Sequence, residues 1–386
     1  MDKIKICGIT TRPGTAKVMI PTLSYVAEKG YESYLICQPC DNFQNITPIT
    51  YIPVEMGRGA VSPIEVLKCT HRLYKVFKQH KFDVVQYASS NAGLYASIAA
   101  WLARVPVRIF CQWGIPYTDY TGMKMKFFKF MEYFTCLLST SVQPDSHLNR
   151  EWAISEGLFK SKKGVVLGKG SAQGVSLKRF DIQKKANWKI EIRTQYQISD
   201  DVKVFSFVGR IVPQKGVNEL MEAFLRIERK DVFLFIIGAP DEIDSLDQRL
   251  LAKVKAMDNV VFTGSVSDPE RYVAACDFFV LPSYREGFPN TILEAGALGI
   301  PSIVTRINGM IDLIEEGETG FVCEIKSTET LYDAMNKALA QTEKEYKTMS
   351  DNVYTTVKND FDAEYIKECF YQNRQTLVNE TKRCKH

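Results

Sequence analysis

The sequence predicts an α/β protein with two doubly wound domains that face each other across a cleft. Three observations support this prediction. The chain of 386 residues is long for a single domain, short apolar strands alternate with helices in both halves, and a glycine-rich stretch, Gly168–Phe180, separates the halves. We therefore place an amino-terminal domain at residues 1–180 and a carboxyl-terminal domain at residues 181–360.

The first half begins with a predicted strand at Lys3–Ile9, followed by a helix that stops at Gly30, because glycine is favoured just beyond a helix end. A second helix is predicted from Ser62 to His80, since Ser-Pro-Ile-Glu supplies a capping side chain, a proline at the first position and a glutamate at the third. Further strands are predicted at Tyr31–Cys37, Phe82–Tyr87 and Val107–Cys111.

The second half repeats this alternation, with a helix predicted from Gly216 onward. Its strands are predicted at Lys203–Val208, Val232–Ile237, Asn259–Thr263, Asp277–Leu281, Pro301–Val304 and Gly320–Cys323. Such alternation is typical of a parallel sheet, whose ligands bind at the carboxyl ends of the strands.

Composition restricts the class of protein. Met1–Gly14 lacks the basic segment and the longer apolar run of a signal peptide, and no apolar segment is long enough to span a membrane. The ten cysteines are scattered, apart from the pair Cys37 and Cys40, and no second pair lies nearby to complete a zinc site. We therefore expect reduced thiols, no zinc site and a cytoplasmic protein.

The charge is unevenly distributed between the halves. Residues 1–180 contain 23 Lys and Arg against 12 Asp and Glu, a net charge of +11, whereas residues 181–386 contain 26 against 33, a net charge of −7. The basic half is expected to meet an anionic partner, either nucleic acid or a membrane surface. No nucleic-acid-binding motif accompanies the charge, which favours the membrane.

A segment of this basic half, MKMKFFKFMEYF at Met123–Phe134, interleaves lysines with aromatic residues. One interpretation is a buried helix with a solvated lysine edge. The other is a surface helix that rests on an anionic membrane, with Lys124, Lys126 and Lys129 facing phosphates and the aromatic rings in the headgroup layer.

Two motifs follow predicted strands of the second half. In FVGRIVPQKGV, Gly209 permits close approach of the backbone to a ligand, and Arg210 and Lys215 suit a diphosphate, although a solvated turn is the alternative for either cation. In EGFPNTILE, Glu286–Glu294, we predict that Asn290 or Thr291 caps a helix whose amino end presents N–H groups to an anion. The two glutamates either interact with the partial positive charge at the amino end of the helix or accept hydrogen bonds from hydroxyl groups of a ligand.

Taken together, these segments resemble the family-4 glycosyltransferases of the GT-B fold, in the branch that makes bacterial capsule, O-antigen and exopolysaccharide. The second half carries the more specific similarity, in VGRIVPQKG, FTGSVSD, EGFPNTILEAGALGIPSIVTRINGMIDLI and GETGFV. The first half adds KFDVVQY, GLYASIAAWLARVPVRI and GKGSAQGVSLKRF. The resemblance implies an acceptor-binding first domain, a donor-binding second domain, and a final segment, residues 361–386, that crosses back onto the first.

The resemblance also implies the reaction. It implies a retaining, metal-independent transfer of a hexose or N-acetylhexosamine from a nucleotide diphosphate sugar, with a UDP-sugar favoured, and without a cofactor. The acceptor would be a lipid-diphosphate-linked saccharide, and the enzyme would sit peripherally on the inner face of the cell membrane. Three alternatives remain: a soluble acceptor, a nucleotide-sugar epimerase, and a non-catalytic partner of another transferase.

Roles for individual residues follow from the same resemblance. Arg210 and Lys215 would neutralise the departing diphosphate, Glu286 would contact the hydroxyls of the donor sugar, and Glu294 would hold the ribose. The other expected donor contacts are Gly14 and Thr15 in the first loop, Gly209, the base-flanking residues Val260, Gly264 and Val266, and Gly287, Phe288, Pro289, Asn290 and Thr291.

One position departs from the family pattern. Many relatives have a histidine in the loop after the strand that ends here at Cys111, whereas this chain has Gln112-Trp113-Gly114. Trp113 and His147 are therefore the candidate acceptor residues, although His147 also fits an ordinary surface histidine.

Overall fold

The computed structural model of the chain describes residues 3–57 and 62–383, and it divides into two compact units. Unit 1 comprises Met1–Gln173 and Glu364–His386, and unit 2 comprises Gly174–Ala363. The sequence placed these boundaries after residues 180 and 360.

Strands and helices alternate along the chain. The strands are β1 Lys5–Ile9, β2 Glu32–Cys37, β3 Thr50–Pro53, β4 Val84–Ala88, β5 Val107–Gln112, β6 Ser141–Pro144, β7 Lys203–Val208, β8 Val232–Ile237, β9 Val260–Gly264, β10 Phe278–Leu281, β11 Ser302–Thr305 and β12 Gly320–Cys323. The helices are α1 Pro13–Glu28, α2 Pro63–His80, α3 Ser90–Leu102, α4 Gly122–Leu138, α5 His147–Ser155, α6 Lys185–Gln195, α7 Val217–Ile227, α8 Gln248–Lys255, α9 Pro269–Ala274, α10 Asn290–Ala297, α11 Thr328–Leu339, α12 Glu343–Asp360 and α13 Ala363–Arg383.

Each unit contains a six-stranded parallel sheet, in the order β3-β2-β1-β4-β5-β6 in unit 1 and β12-β11-β10-β7-β8-β9 in unit 2. The predicted doubly wound α/β class is confirmed. The winding reverses between β1 and β4 and between β7 and β10, so the loops after these strands border the crevice in which such sheets bind ligands.

The predicted strands all form, because their continuous apolar runs are buried on both faces of the sheets, as in β8, where every residue is buried. The predicted cap of α2 also forms, since Ser62 Oγ accepts a hydrogen bond from the Glu65 N–H at 3.2 Å. Two strands, β3 and β6, were not predicted.

Helix α13 is attached to the unit 1 sheet by a fully buried arginine. Arg374 donates hydrogen bonds to Oε1 of Gln86 on β4, at 2.8 and 3.2 Å, and to Oε1 of Gln143 on β6, at 2.6 Å. Its guanidinium also stacks on the ring of Phe370, 4.0 Å from the ring centre. Burial lowers the pKa of Arg374 to about 10. Two strands and one helix are thereby joined through a single side chain.

Candidate active site

The loop after β7 holds the two predicted cations in different settings. Arg210 is exposed just after Gly209, whereas Lys215 is half-buried and precedes Gly216. Gly216 adopts a φ of +70°, and a Cβ atom there would lie 2.0 Å from the carbonyl oxygen of Pro282. Only glycine therefore allows this loop to lie against the loop that follows β10.

Hydrogen bonds and an ion pair join these two loops. The N–H of Tyr284 donates to the carbonyl oxygen of Gln214 at 2.9 Å, and its hydroxyl donates to Oε1 of Glu219 at 2.5 Å. Lys215 Nζ forms an ion pair with Oε1 of Glu286. The structure thus brings together Lys215 and Glu286, which are 71 residues apart in the sequence.

Helix α10 begins one residue earlier than a cap at Asn290 would require. Pro289 occupies the N-cap position in an extended conformation, and no side chain caps the helix. Asn290 and Thr291 are its first two helical residues, so the prediction that one of them is the cap was wrong. The N–H groups of the first turn consequently keep their partial positive charge free of any capping side chain.

Glu294 lies on the same helix and is half-buried. Burial raises its pKa to about 7, against the opposing effect of the positive charge of Arg179. No group in residues 3–57 and 62–383 donates a hydrogen bond to its carboxyl group. A partly buried acceptor of this kind gains from hydrogen bonds with ligand hydroxyls.

The residues predicted to flank a base are divided between the two ends of β9. Gly264 ends the strand with a φ of +68°, and its carbonyl oxygen accepts a hydrogen bond from the N–H of Gly238 at 2.9 Å. Val266 follows two residues later. Val260 instead begins β9 and is buried in the core at the amino edge of the sheet. We therefore leave Val260 out of the site.

Gly287 and Phe288 lie between Glu286 and the start of α10. The ring of Phe288 packs against Phe361 at 5.6 Å between centres. Phe361 lies between Asp360 and Asp362, two carboxylates that could contribute to a metal site. Within the described part of the chain, no three acidic, histidine or cysteine side chains come close enough together to hold a metal ion.

The predicted residues of unit 1 lie at the carboxyl edge of its sheet. Gly14 and Thr15 form the first turn of α1, where no side chain caps the helix. Trp113 is half-buried and packs against the core. His147 is exposed, and its Nε2 lies 3.3 Å from the carbonyl oxygen of Gly168, which agrees with the interpretation as a surface histidine.

Two buried acids that the sequence analysis missed fix the loop around Trp113. Gln112 Nε2 donates to Oε1 of Glu132 at 2.6 Å, and burial raises the pKa of Glu132 to about 7. On the other side, Oδ2 of Asp145 accepts a hydrogen bond from the N–H of Gly114 at 3.1 Å. Glu132 stands among aromatic residues in FKFMEYF, which is a weak signal of burial, whereas Asp145 lies in the polar segment SVQPDSHLNR and has no such signal.

Helix α4 carries an exposed apolar stripe. Met123, Phe127, Phe130, Tyr133 and Leu137 are 80, 58, 62, 42 and 55% exposed. Their spacing of three or four residues places them on one face of the helix. The opposite face packs inward through Met131, Thr135 and Cys136, so the interpretation as a buried helix holds for that face only.

The three lysines of α4 are in different surroundings. Lys126 is exposed, Lys124 Nζ lies 4.1 Å from the ring centre of Tyr120, and Lys129 Nζ forms an ion pair with Oε2 of Glu156 at 2.7 Å. No helix among the described residues, α4 included, is both long enough and apolar enough to cross a bilayer.

Comparisons with known proteins identify the family. The model for glycosyl transferases group 1 matches residues 189–356, and the glycosyl transferase 4-like model matches residues 12–142. The capsular polysaccharide biosynthesis glycosyltransferase CapM of Staphylococcus aureus is 31% identical over 99% of each chain. The chain belongs to this family of glycosyltransferases. The predicted family and the predicted class of enzyme are confirmed.

Two further comparisons extend this result. The UDP-Gal:alpha-D-GlcNAc-diphosphoundecaprenol alpha-1,3-galactosyltransferase of Escherichia coli is 27% identical to this glycosyltransferase over 93% of this chain and 94% of its own. The solved structure of Anabaena Alr3699/HepE in complex with UDP superposes with a TM-score of 0.76, at 19% identity, over 98% of this chain and 100% of its own. That similarity confirms the predicted GT-B fold.

Proposed function

We propose that this glycosyltransferase moves a hexose or N-acetylhexosamine from a nucleotide diphosphate sugar, a UDP-sugar in the first instance, to a lipid-diphosphate-linked saccharide, with retention of configuration and without a metal ion. The observation that carries the proposal is the pairing of Lys215 with Glu286 at the reversal point of the unit 2 sheet. The E. coli relative supports the choice of substrates, since its name specifies UDP-Gal and a diphosphoundecaprenol acceptor.

The proposed chemistry assigns separate tasks to the paired residues. In the transfer, the bond from the anomeric carbon to the diphosphate breaks, a bond from that carbon to the acceptor hydroxyl oxygen forms, and the proton of that hydroxyl passes to the departing diphosphate. Arg210 and Lys215 stabilise the negative charge that develops on the leaving diphosphate. Glu286 holds Lys215 before the donor binds and accepts hydrogen bonds from the donor sugar. Glu294 accepts hydrogen bonds from the ribose.

An assay with a synthetic lipid-diphosphate-linked saccharide and a panel of nucleotide sugars tests this proposal. Product should form with one donor, with the anomeric configuration of the donor retained in its NMR spectrum. We expect the rate to survive excess EDTA, because two cations and the amino end of α10 already compensate the diphosphate charge. Loss of activity in EDTA that Mg²⁺ or Mn²⁺ restores would contradict metal independence.

A soluble acceptor remains the rival within the family. The exposed apolar stripe of α4 and the net charge of +11 on residues 1–180 favour the lipid-linked acceptor, because both features suit an anionic membrane surface. We accordingly propose that the enzyme is peripheral on the inner face of the cell membrane.

Removing the stripe should release the protein from membranes. We expect Phe127→Ser together with Phe130→Ser to lower co-sedimentation with phosphatidylcholine–phosphatidylglycerol vesicles by at least tenfold, because each exposed ring contributes more than 1 kcal/mol on insertion. Ile190→Ser with Ile325→Ser, an exposed apolar pair in unit 2, is the matched control and should bind normally. Unchanged binding of the phenylalanine variant would favour the soluble acceptor.

A further inference from the structure

A pocket of about 930 Å³ opens beside the carboxyl end of α4. Its walls are mainly apolar, and they include Tyr133 and Leu137, the last two residues of the exposed stripe, together with Leu158 and Phe159. The apolar surface of the stripe therefore continues from the outside of the helix into the pocket.

Three lysines, Lys160, Lys162 and Lys163, line the same pocket, and no acidic residue does. Within residues 3–57 and 62–383, none of the three has a carboxylate partner within 4.0 Å. Lys160 and Lys162 are exposed, whereas Lys163 is half-buried and donates from Nζ to the carbonyl oxygen of Leu137 at 3.0 Å. Burial lowers the pKa of Lys163. The pocket thus combines apolar walls with uncompensated positive charge.

The turn that carries the lysines is held in place by its surroundings. Arg150 on α5 donates to the carbonyl oxygens of Ser161 and Gly164, at 3.0 Å each, and to Ser161 Oγ at 2.9 Å. A Cβ atom at Gly164 would lie 2.4 Å from the ring of Phe159, so the turn packs directly on Phe159, which lines the pocket. The three ammonium groups are therefore presented from a fixed backbone.

The pocket lies at the opposite edge of the sheet from the predicted reaction. Ser139 and Thr140, which line it, immediately precede β6, whereas Asp145, which holds the Trp113 loop, follows the carboxyl end of β6. The 17 residues of α4 span about 25 Å between the two edges. A phosphate bound by these lysines is consequently not the diphosphate of the reacting acceptor.

We propose that this pocket binds the headgroup phosphate of an anionic phospholipid, with the lysines around the phosphate and the start of an acyl chain against Leu137 and Tyr133. The proposal rests on the membrane attachment through α4 proposed above. It adds an electrostatic contact at the carboxyl end of α4 to the apolar contact that the stripe makes along the helix. The positive charge of the lysines favours an anionic ligand. The apolar walls favour an anion that carries an acyl chain over a fully hydrated free anion.

Lys160→Gln with Lys162→Gln tests the pocket without removing Lys163, which holds the end of α4. With phosphatidylcholine–phosphatidylglycerol vesicles, we expect the full-length variant to bind about thirtyfold more weakly than the wild type, since each lysine near an anionic surface contributes about fivefold. Binding to phosphatidylcholine alone should not change. Lys160→Arg with Lys162→Arg should bind normally, and so should Lys344→Gln with Lys347→Gln, an exposed lysine pair of unit 2.

Three results would overturn the proposal: equal losses for the pocket variant and the unit 2 control, loss of binding to neutral vesicles as well, or full competition by soluble inorganic phosphate at the same ionic strength. The last would indicate a free-anion site. The α4 phenylalanine variant is expected to bind both kinds of vesicle more weakly, because its loss is apolar. Failure of the membrane proposal would therefore show as unchanged binding of that variant, whereas failure of the pocket proposal would show only in the lysine variants. Transfer to a short-chain soluble acceptor analogue, which needs no vesicle, should be unchanged in the pocket variant.

Discussion

Arg210→Ala and Lys215→Ala are each expected to lower turnover by about 10²–10³, the loss typical when a group that stabilises transition-state charge is removed. Both side chains lie after β7, beside the reversal point of the sheet. Lys215→Ala also leaves the half-buried carboxylate of Glu286 without its cation. Steady-state kinetics with the preferred nucleotide sugar measures the effect, and circular dichroism checks that the fold is intact.

A matched control and two conservative variants sharpen this experiment. Arg249→Ala removes an exposed arginine of unit 2 that lies outside the proposed site, and it should leave turnover unchanged. Arg210→Lys should recover only part of the rate, because a lysine cannot form the two parallel hydrogen bonds that a guanidinium gives to a diphosphate. Turnover near the wild-type value in both alanine variants would remove the proposed donor site.

Arg374→Met is expected to lower the free energy of unfolding of unit 1 by about 3 kcal/mol. The substitution leaves the buried amide oxygens of Gln86 and Gln143 without donors, at about 1–3 kcal/mol each. Part of this loss is offset because the guanidinium no longer has to be desolvated. Hydrogen exchange of β4 and β6 reports on unit 1 specifically, which matters because two-state unfolding is not assured for a chain of two units.

The control for this prediction lies on the same helix. Arg383→Met replaces an exposed arginine nine residues later on α13 and should change stability by less than about 0.5 kcal/mol. Equal protection of β4 and β6 in the Arg374 variant and the wild type would show that α13 is held by its apolar contacts alone.

The sequence predicted the central strands of both sheets because their apolar runs report burial directly. It missed β3 and β6, the two edge strands of unit 1. β3 is half exposed and ends in proline, and β6 reads Ser-Val-Gln-Pro, so neither shows a continuous apolar run. Each has only four residues. Both are recognised as strands by their pairing with the neighbouring strand, which the amino-acid composition does not reveal.

Site residues were predictable where charged side chains come soon after a predicted strand in the sequence, as for Arg210, Lys215 and Glu286. The hydrogen bond from Tyr284 to Glu219 was not, because its partners are 65 residues apart and neither side chain is unusual in its own segment. Arg374 is the extreme case, since its partner Gln86 lies 288 residues away. Nothing in a helix rich in polar residues signals that one arginine is fully buried.

The position of α13 has a consequence for the order of folding during synthesis. Unit 2 is continuous in the sequence, whereas unit 1 needs Glu364–His386. At about 5–20 residues per second, the ribosome takes roughly 10–40 s to make the 190 residues of unit 2 that separate the two parts of unit 1. During that interval Gln86 and Gln143 lack their arginine. All of unit 2 is therefore synthesised before α13 can complete the contacts of the unit 1 sheet.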